Sequence, residues 1–169
     1  MPLPRTAILK KTERNSMRDV EIAKHFVKAT TTILATMAGI TAAPGKPYVK
    51  KDQVACGDIS AIIGVTGPRN GTISVSFSAA GATALVMGML GEDVEDLAQD
   101  MQDAVGEVAN MISGQARAAI AEEGLVLQGS TPSVVVGKDH TIHHITKAPV
   151  MAIPFATPDG EFTVEFCLA

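Results

Sequence analysis

The strongest constraint on the fold lies between Asp93 and Glu123, where apolar residues recur at helical spacing through the whole stretch. At about 100° per residue, Leu97, Met101, Val105, Val108, Ile112 and Ala119 fall on one stripe, while Asp96, Asp100, Asp103, Glu107, Asn110 and Arg117 fall opposite. The pattern predicts one long amphipathic helix that docks by its apolar stripe and presents an acidic face. Asp93 is the expected N-cap, acids crowd the first turns where the helix dipole favours them, and Gly124 is expected to close the far end in a left-handed conformation. Gly106, Asn110 and Gly114 each cost roughly 0.5 to 1 kcal/mol against alanine within a helix, an expense that a scaffold helix has little reason to carry. Residue chemistry alone leaves two readings open, a solvated face or a presented site.

The rest of the chain bounds the choice. With 169 residues and 46% hydrophobic content, one domain can bury its own core, and with five Phe, one Tyr and no Trp that core must be built from small aliphatic side chains. The net charge of −4 hides an asymmetry: Arg5, Lys10, Lys11, Arg14 and Arg18 face only Glu13 in the first eighteen residues, whereas nine acids face Arg117 between Glu92 and Glu123. Scarce aromatics and an acidic principal helix argue against a nucleic-acid groove. Cys56 and Cys167 form no C-x-x-C pair and the N-terminus has no signal-peptide core, which points to a reducing cytoplasm. No apolar run approaches the ~18 residues of a membrane span.

Residues 1–15 read as a flexible basic extension and residues 16–169 as a single domain. Ser16 to Ala38 carries a second amphipathic pattern, with Ser16 and Asp19 in a capping arrangement and Gly39 as its stop. Val54 to Thr66 and Thr72 to Ser78 predict a hairpin turning at Gly67 to Gly71, and Ala79 to Leu90 a short Ala-rich helix. Short strands follow at Leu125 to Gln128, Ser133 to Val136, Thr141 to Thr146, Val150 to Ala156 and Phe162 to Leu168, with Pro158 to Gly160 as a hairpin turn. The expected fold is two-layer α/β (α+β), with a mixed, mainly antiparallel sheet and the two long helices packed side by side on one face. Each half opens with a helix and continues into strands, which suggests an internal duplication.

Most candidate sites fail on chemistry. His140, His143 and His144 split between two faces of a strand and have no cysteines beside them, so an exposed hairpin edge is expected and no metal. The glycines of G-V-T-G-P-R-N-G lack the Lys-Ser/Thr of a phosphate loop. No nucleophile elbow is present, and Cys56 has no histidine next to it. What remains is Glu107 and Asn110 one helical turn apart, with Asp103 one turn earlier. A carboxamide both donates and accepts, so it can align a water for in-line attack on phosphorus without ionising. A neighbouring carboxylate can hold a cation such as a partner's lysine.

Asp103-x-x-x-Glu107-x-x-Asn110, followed by M-I-S-G-Q-A from Met111 and by Pro132, resembles the CheC/CheX/FliY family of chemotaxis phosphatases, and its CheX branch above all. Supporting stretches are F-V-K-A-T-T-T-I-L-A-T-M-A-G-I from Phe26, G-D-I-S-A-I-I-G-V-T-G from Gly57 and P-S-V-V-V-G-K-D-H from Pro132, and together the similarity spans Asp19 to the C-terminus. The resemblance implies hydrolysis of the phosphoaspartate of the response regulator CheY. In it, Glu107 contacts the regulator's active-site lysine, Asn110 positions the attacking water and Asp103 assists docking. Gly106 and Gly114 are then small residues that admit the partner. No cofactor of its own is implied, since Mg²⁺ sits on the phosphorylated partner, and a cytoplasmic homodimer built through strands of the second half is expected. Glu21-Ile-Ala-Lys24 on the first helix has Lys where a second motif would have Asn, so one active centre per chain is expected. The spacing from Asn110 to Pro132 is slightly shorter than the family pattern. The alternative is a non-catalytic module that binds a receiver domain or scaffolds a signalling complex.

Overall fold

The computed structural model describes residues 17–144 and 146–169. The expected extension and Ser16 lie outside them. Three helices, α1 (Asp19–Ala38), α2 (Ala79–Leu90) and α3 (Leu97–Glu122), cover one face of an eight-stranded sheet. The strands are β1 (Ala43–Pro44), β2 (Tyr48–Lys50), β3 (Ile59–Thr66), β4 (Gly71–Phe77), β5 (Gln128–Gly129), β6 (Ser133–Val136), β7 (Val150–Thr157) and β8 (Gly160–Leu168). Every pairing between these strands is antiparallel, so the sheet is purely antiparallel where a mixed one was expected.

The period-2 pattern of the long strands builds the core. Ile63, Ile73, Phe166 and Met151 are cross-strand neighbours on the helix side, as are Ala61, Val75, Val164 and Ile153, and Ile59, Phe77, Phe162 and Phe155. The few aromatics are spent here: the Phe162 ring stacks on Phe77 at 4.7 Å and on Phe155 at 4.9 Å, and Phe166 stacks on Phe26 of α1 at 5.2 Å. α1 and α3 pack against each other, as expected, and α2 joins them as a third helix on the same face.

The strand order β1-β7-β8-β4-β3-β5, with β2 also on β7 and β6 also on β3, reads alike outward from the central β4–β8 pair. Each half contributes a helix, two short strands and a long hairpin, and the short strands of each half pair with the hairpin of the other. Tyr48–Lys50 lies against Val150 to Ala152 as Ser133–Val136 lies against Ile59 to Ile62. The duplication suggested by the order of elements is therefore present in the sheet topology.

Five local expectations are corrected. α1 starts at Asp19, with Arg18 at the N-cap position and no side-chain cap. Asp93 is not a cap: Gly91–Asp93 forms a single 3₁₀ turn, Val94 is extended, and α3 starts after Asp96, whose carboxylate accepts from Gln99 N at 3.3 Å. Two acidic starts compete in E-D-V-E-D-L, and the one followed by uninterrupted helix formers wins. β3 begins at Ile59 instead of Val54, and β5 is shorter and later than expected because Leu125 and Leu127 turn into the core. Among the described residues of Thr141 to Thr146 no strand forms; Thr141 makes one bridge to Val54.

The histidine expectation fails for a related reason. The sheet face away from the helices carries Ser60, Thr72, Ser74, Ser76, Thr163, Glu165 and Cys167, all buried. His140 packs onto this face, its Nε2 2.6 Å from Ser60 Oγ and its Nδ1 2.6 Å from the Gly137 carbonyl. A buried polar surface needs partners, and the segment that supplies them cannot also be an exposed hairpin edge.

Candidate functional site on the third helix

α3 is fixed at both ends. Asp96 caps it, Asp100 Oδ2 reaches back to accept from Glu95 N at 3.1 Å and Asp96 N at 3.3 Å, and Gly124 takes φ +100° to let the Leu125 N–H bond the Ile120 carbonyl. Val105, Val108, Ala109, Ile112, Ala116 and Ile120 are fully buried beneath it. The docked stripe is thus rotated slightly from the expected one: Ala104 and Ala109 lie inside it, while Leu97 is 44% exposed.

That packing leaves Asp103, Glu107 and Asn110 exposed in a row, and together they line one shallow groove of about 420 Å³ with Gln102, Gly106, Pro132 and Val134. The far wall is the start of β6, held at β3 by the pairing of Ser133 with Ile62 and Val134 with Ala61. Gly106 sets the width, because a Cβ there would lie 3.3 Å from Val134 Cγ2. Gly114 is half-buried farther along the helix, outside the groove, and a Cβ on it would meet nothing within 4 Å. No packing among the described residues demands glycine at that point.

Two glutamines and a valine were absent from the sequence-based set. Gln99 Nε2 donates to Asp103 Oδ1 at 2.9 Å and fixes the rotamer of that carboxylate. The i, i+4 spacing of Gln99 and Asp103 was a readable signal for it. Gln102 and Val134 line the groove only because β6 is folded beside α3, which spacing within the helix does not reveal. Arg117, expected on the outward face, is half-buried; its Nε donates to Ser113 Oγ at 3.0 Å and its guanidinium packs on Gly129. Among the described residues no group of three or more His, Cys, Asp or Glu is placed to hold a metal ion. No helix among them is long and apolar enough to cross a membrane.

Chemically, the groove offers two carboxamides, of Gln102 and Asn110, and two carboxylates, of Asp103 and Glu107, on a rigid helix. None of these is a nucleophile poised beside a base, so the arrangement orients and recognises; it does not attack.

Comparison with known proteins gives the same direction. The profile of the family described as "Chemotaxis phosphatase CheX" matches residues 59–156. A solved chemotaxis protein CheX from Desulfovibrio desulfuricans is 63% identical, with a TM-score of 0.84, over 88% of this chain and 99% of that one. The CheY-P phosphatase CheX of Thermotoga maritima is 26% identical over 136 residues, 78% of this chain and 88% of the relative. The structure of a CheX-CheY-BeF3-Mg+2 complex from Borrelia burgdorferi matches at 21% identity and TM-score 0.74, over 87% of this chain and 97% of that one, a likeness of fold.

Proposed function

The chain belongs to the CheX family of chemotaxis proteins, and on that premise we propose that it is a phosphatase for the phosphoaspartate of the response regulator CheY. The observation that carries this reading is the exposed row of Asp103, Glu107 and Asn110 along one shallow groove, held on a helix whose opposite face is buried turn after turn from Ala104 to Ile120. Phosphoryl transfer is catalysed mainly by positioning and electrostatics. The regulator brings the acyl phosphate, the Mg²⁺ bound to it and an active-site lysine, so this chain need add little.

In this reading the Asn110 carboxamide enters the regulator's site and holds a water in line with the acyl oxygen, its oxygen accepting a hydrogen bond from that water and leaving a lone pair aimed at phosphorus. The new P–O bond forms as the bond to the aspartate oxygen breaks, the regulator's carboxylate departs with the bonding pair, and the water's proton leaves on inorganic phosphate. Glu107 pairs with the regulator's lysine and fixes the docked orientation. Asp103, oriented by Gln99, lies at the rim of the same contact, while Gly106 and Gly114 keep the helix surface low for the partner. The named activity of the Thermotoga relative and the CheY partner in the Borrelia complex support the assignment.

The protein acts in the cytoplasm, where its regulator resides, as a homodimer. The outer edge of β6 supports the latter: it has no pairing partner among the described strands, and Val135 and Val136 on it are 36% and 60% exposed. Two such edges brought together antiparallel would continue the sheet. Val136→Lys is expected to shift the protein to monomer in analytical ultracentrifugation.

The decisive experiment follows the decay of phosphorylated CheY with Mg²⁺, alone and with wild-type, Asn110→Ala or Glu107→Ala protein. Wild type should shorten the lifetime and Asn110→Ala should not. Binding to the phosphorylated regulator without any change in its lifetime would instead establish the receiver-binding scaffold.

A further inference from the structure

The half-to-half relationship in the sheet gives the groove beside α3 a counterpart beside α1. Pro47 immediately precedes β2 as Pro132 precedes β6, and Glu21-x-x-Lys24 stands on α1 in the manner of Glu107-x-x-Asn110 on α3. The counterpart groove encloses about 540 Å³ between α1 and the segment leading into β2. Its walls are apolar, with Ala23, Val27 and Met151 half or fully buried and Val20 55% exposed. Its rim is basic: Lys24, Lys28 and Lys46 are all exposed, and none of them forms an ion pair among the described residues.

The nearby acids are neutralised. Asp19 Oδ1 is held by Arg69 Nη2 at 2.9 Å, and Glu21 pairs with Arg18 at 3.2 Å. In a chain of net charge −4 whose acids concentrate between Glu92 and Glu123, three unpaired lysines around one apolar groove are a local reversal of sign. The residues ahead of α1 carry Arg5, Lys10, Lys11 and Arg14 against Glu13, so the chain's own N-terminal segment has the same sign of charge as the rim and does not complement it.

We propose that this groove is a second docking surface, for an acidic segment of a partner protein whose apolar side chains enter between α1 and Pro47 while its carboxylates meet Lys24, Lys28 and Lys46. The recessed shape suits a peptide with anchors at helical spacing, and the unpaired lysines supply orientation and a fast, salt-sensitive approach. The site is separate from the groove on α3 and stands or falls independently of the phosphatase reading.

The test uses the full chain and a short fluorescent peptide of Glu and Leu with leucines at helical spacing, read by anisotropy, alongside a Lys-for-Glu version of the peptide and vesicles of anionic phosphatidylglycerol. The acidic peptide is expected to bind, more weakly as salt rises, and the Lys24→Glu/Lys28→Glu/Lys46→Glu variant to bind it about tenfold more weakly or worse. Val27→Glu, with circular dichroism unchanged, should weaken it as well, and Asn110→Ala should not. Equal binding of the two peptides, undiminished binding by the triple variant, or attachment to vesicles with no affinity for the acidic peptide would each overturn the proposal.

Discussion

Lys50 Nζ lies 2.7 Å from Glu165 Oε1, with the two side chains 6% and 0% exposed, on the sheet face that the helices do not cover. The ammonium also donates to the Val54 carbonyl, and Glu165 Oε2 accepts from Ser74 Oγ at 3.1 Å. The pair clamps β2 and the segment after it onto β8. Removing one partner strands a buried charge, so Lys50→Ala is expected to cost about 3 to 5 kcal/mol in urea unfolding. Lys50→Met combined with Glu165→Leu should recover most of that loss. A Lys50→Ala cost below about 1 kcal/mol would show that the pair is solvated and no clamp.

His144 sits beside this pair, with Nδ1 buried and lacking a hydrogen-bond partner. Burial lowers its imidazole below the ordinary value of 6.5; Glu165 acts against that shift and Lys50 with it. The neutral form is thus favoured in the folded state, while the unfolded chain takes up its proton near 6.5. Stability should hold above that pH, fall as pH drops below it, and level off once the folded-state group also titrates. Thermal melts of wild type and His144→Gln across this range test the sign, with the variant expected to show the shallower fall.

Gly114 separates folding from docking. A Cβ there meets nothing within 4 Å, so Gly114→Ala should stabilise α3 by about 0.5 to 1 kcal/mol through helix propensity. If the helix surface is used as proposed, the same variant dephosphorylates CheY less efficiently despite its higher melting temperature. A more stable protein with unaltered phosphatase activity would remove Gly114 from the docking surface.

The cap on α3 lies near the proposed site without belonging to it. Asp96→Ala removes the acceptor for Gln99 N and should cost about 1 kcal/mol. Asp93→Ala, which alters only the exposed 3₁₀ turn, should change stability by less than about 0.5 kcal/mol. Chemical denaturation of the two variants distinguishes the observed start of the helix from the one its composition suggested.

The helices and the long hairpins were legible because their signals are local. Gly39 ends α1 in a left-handed conformation at φ +64°, Ser78 caps α2, and the alternation of Ile73, Val75 and Phe77 with Thr72, Ser74 and Ser76 writes a strand with two different faces. The short strands β1 and β2 were not legible. Ala43–Pro44 and Tyr48–Lys50 have no periodicity of their own and become strands only because β7 offers them an edge. Sequence placed Asp103, Glu107 and Asn110 on one helix face, but Val134 and Pro132 join them only through the pairing of β6 with β3. His140 and His144 were misjudged because a half-exposed polar segment looks alike whether it meets water or a polar sheet face.

The sequence by itself determined the helix periods, the turn positions, the alternation of the central strands and, through the D-x-x-x-E-x-x-N pattern together with the stretches that flank it in order, the family. The structural signals depend on residues within a few positions of one another, whose geometry the backbone sets directly, and the family on the order of several such stretches along the chain. Only the tertiary structure decided that the halves exchange their short strands, that a buried Lys50–Glu165 pair closes the polar face, and that two related grooves open beside α1 and α3 with opposite rims. Those relations join residues far apart in the chain, and which distant edges and charges meet is settled by burying the shared core.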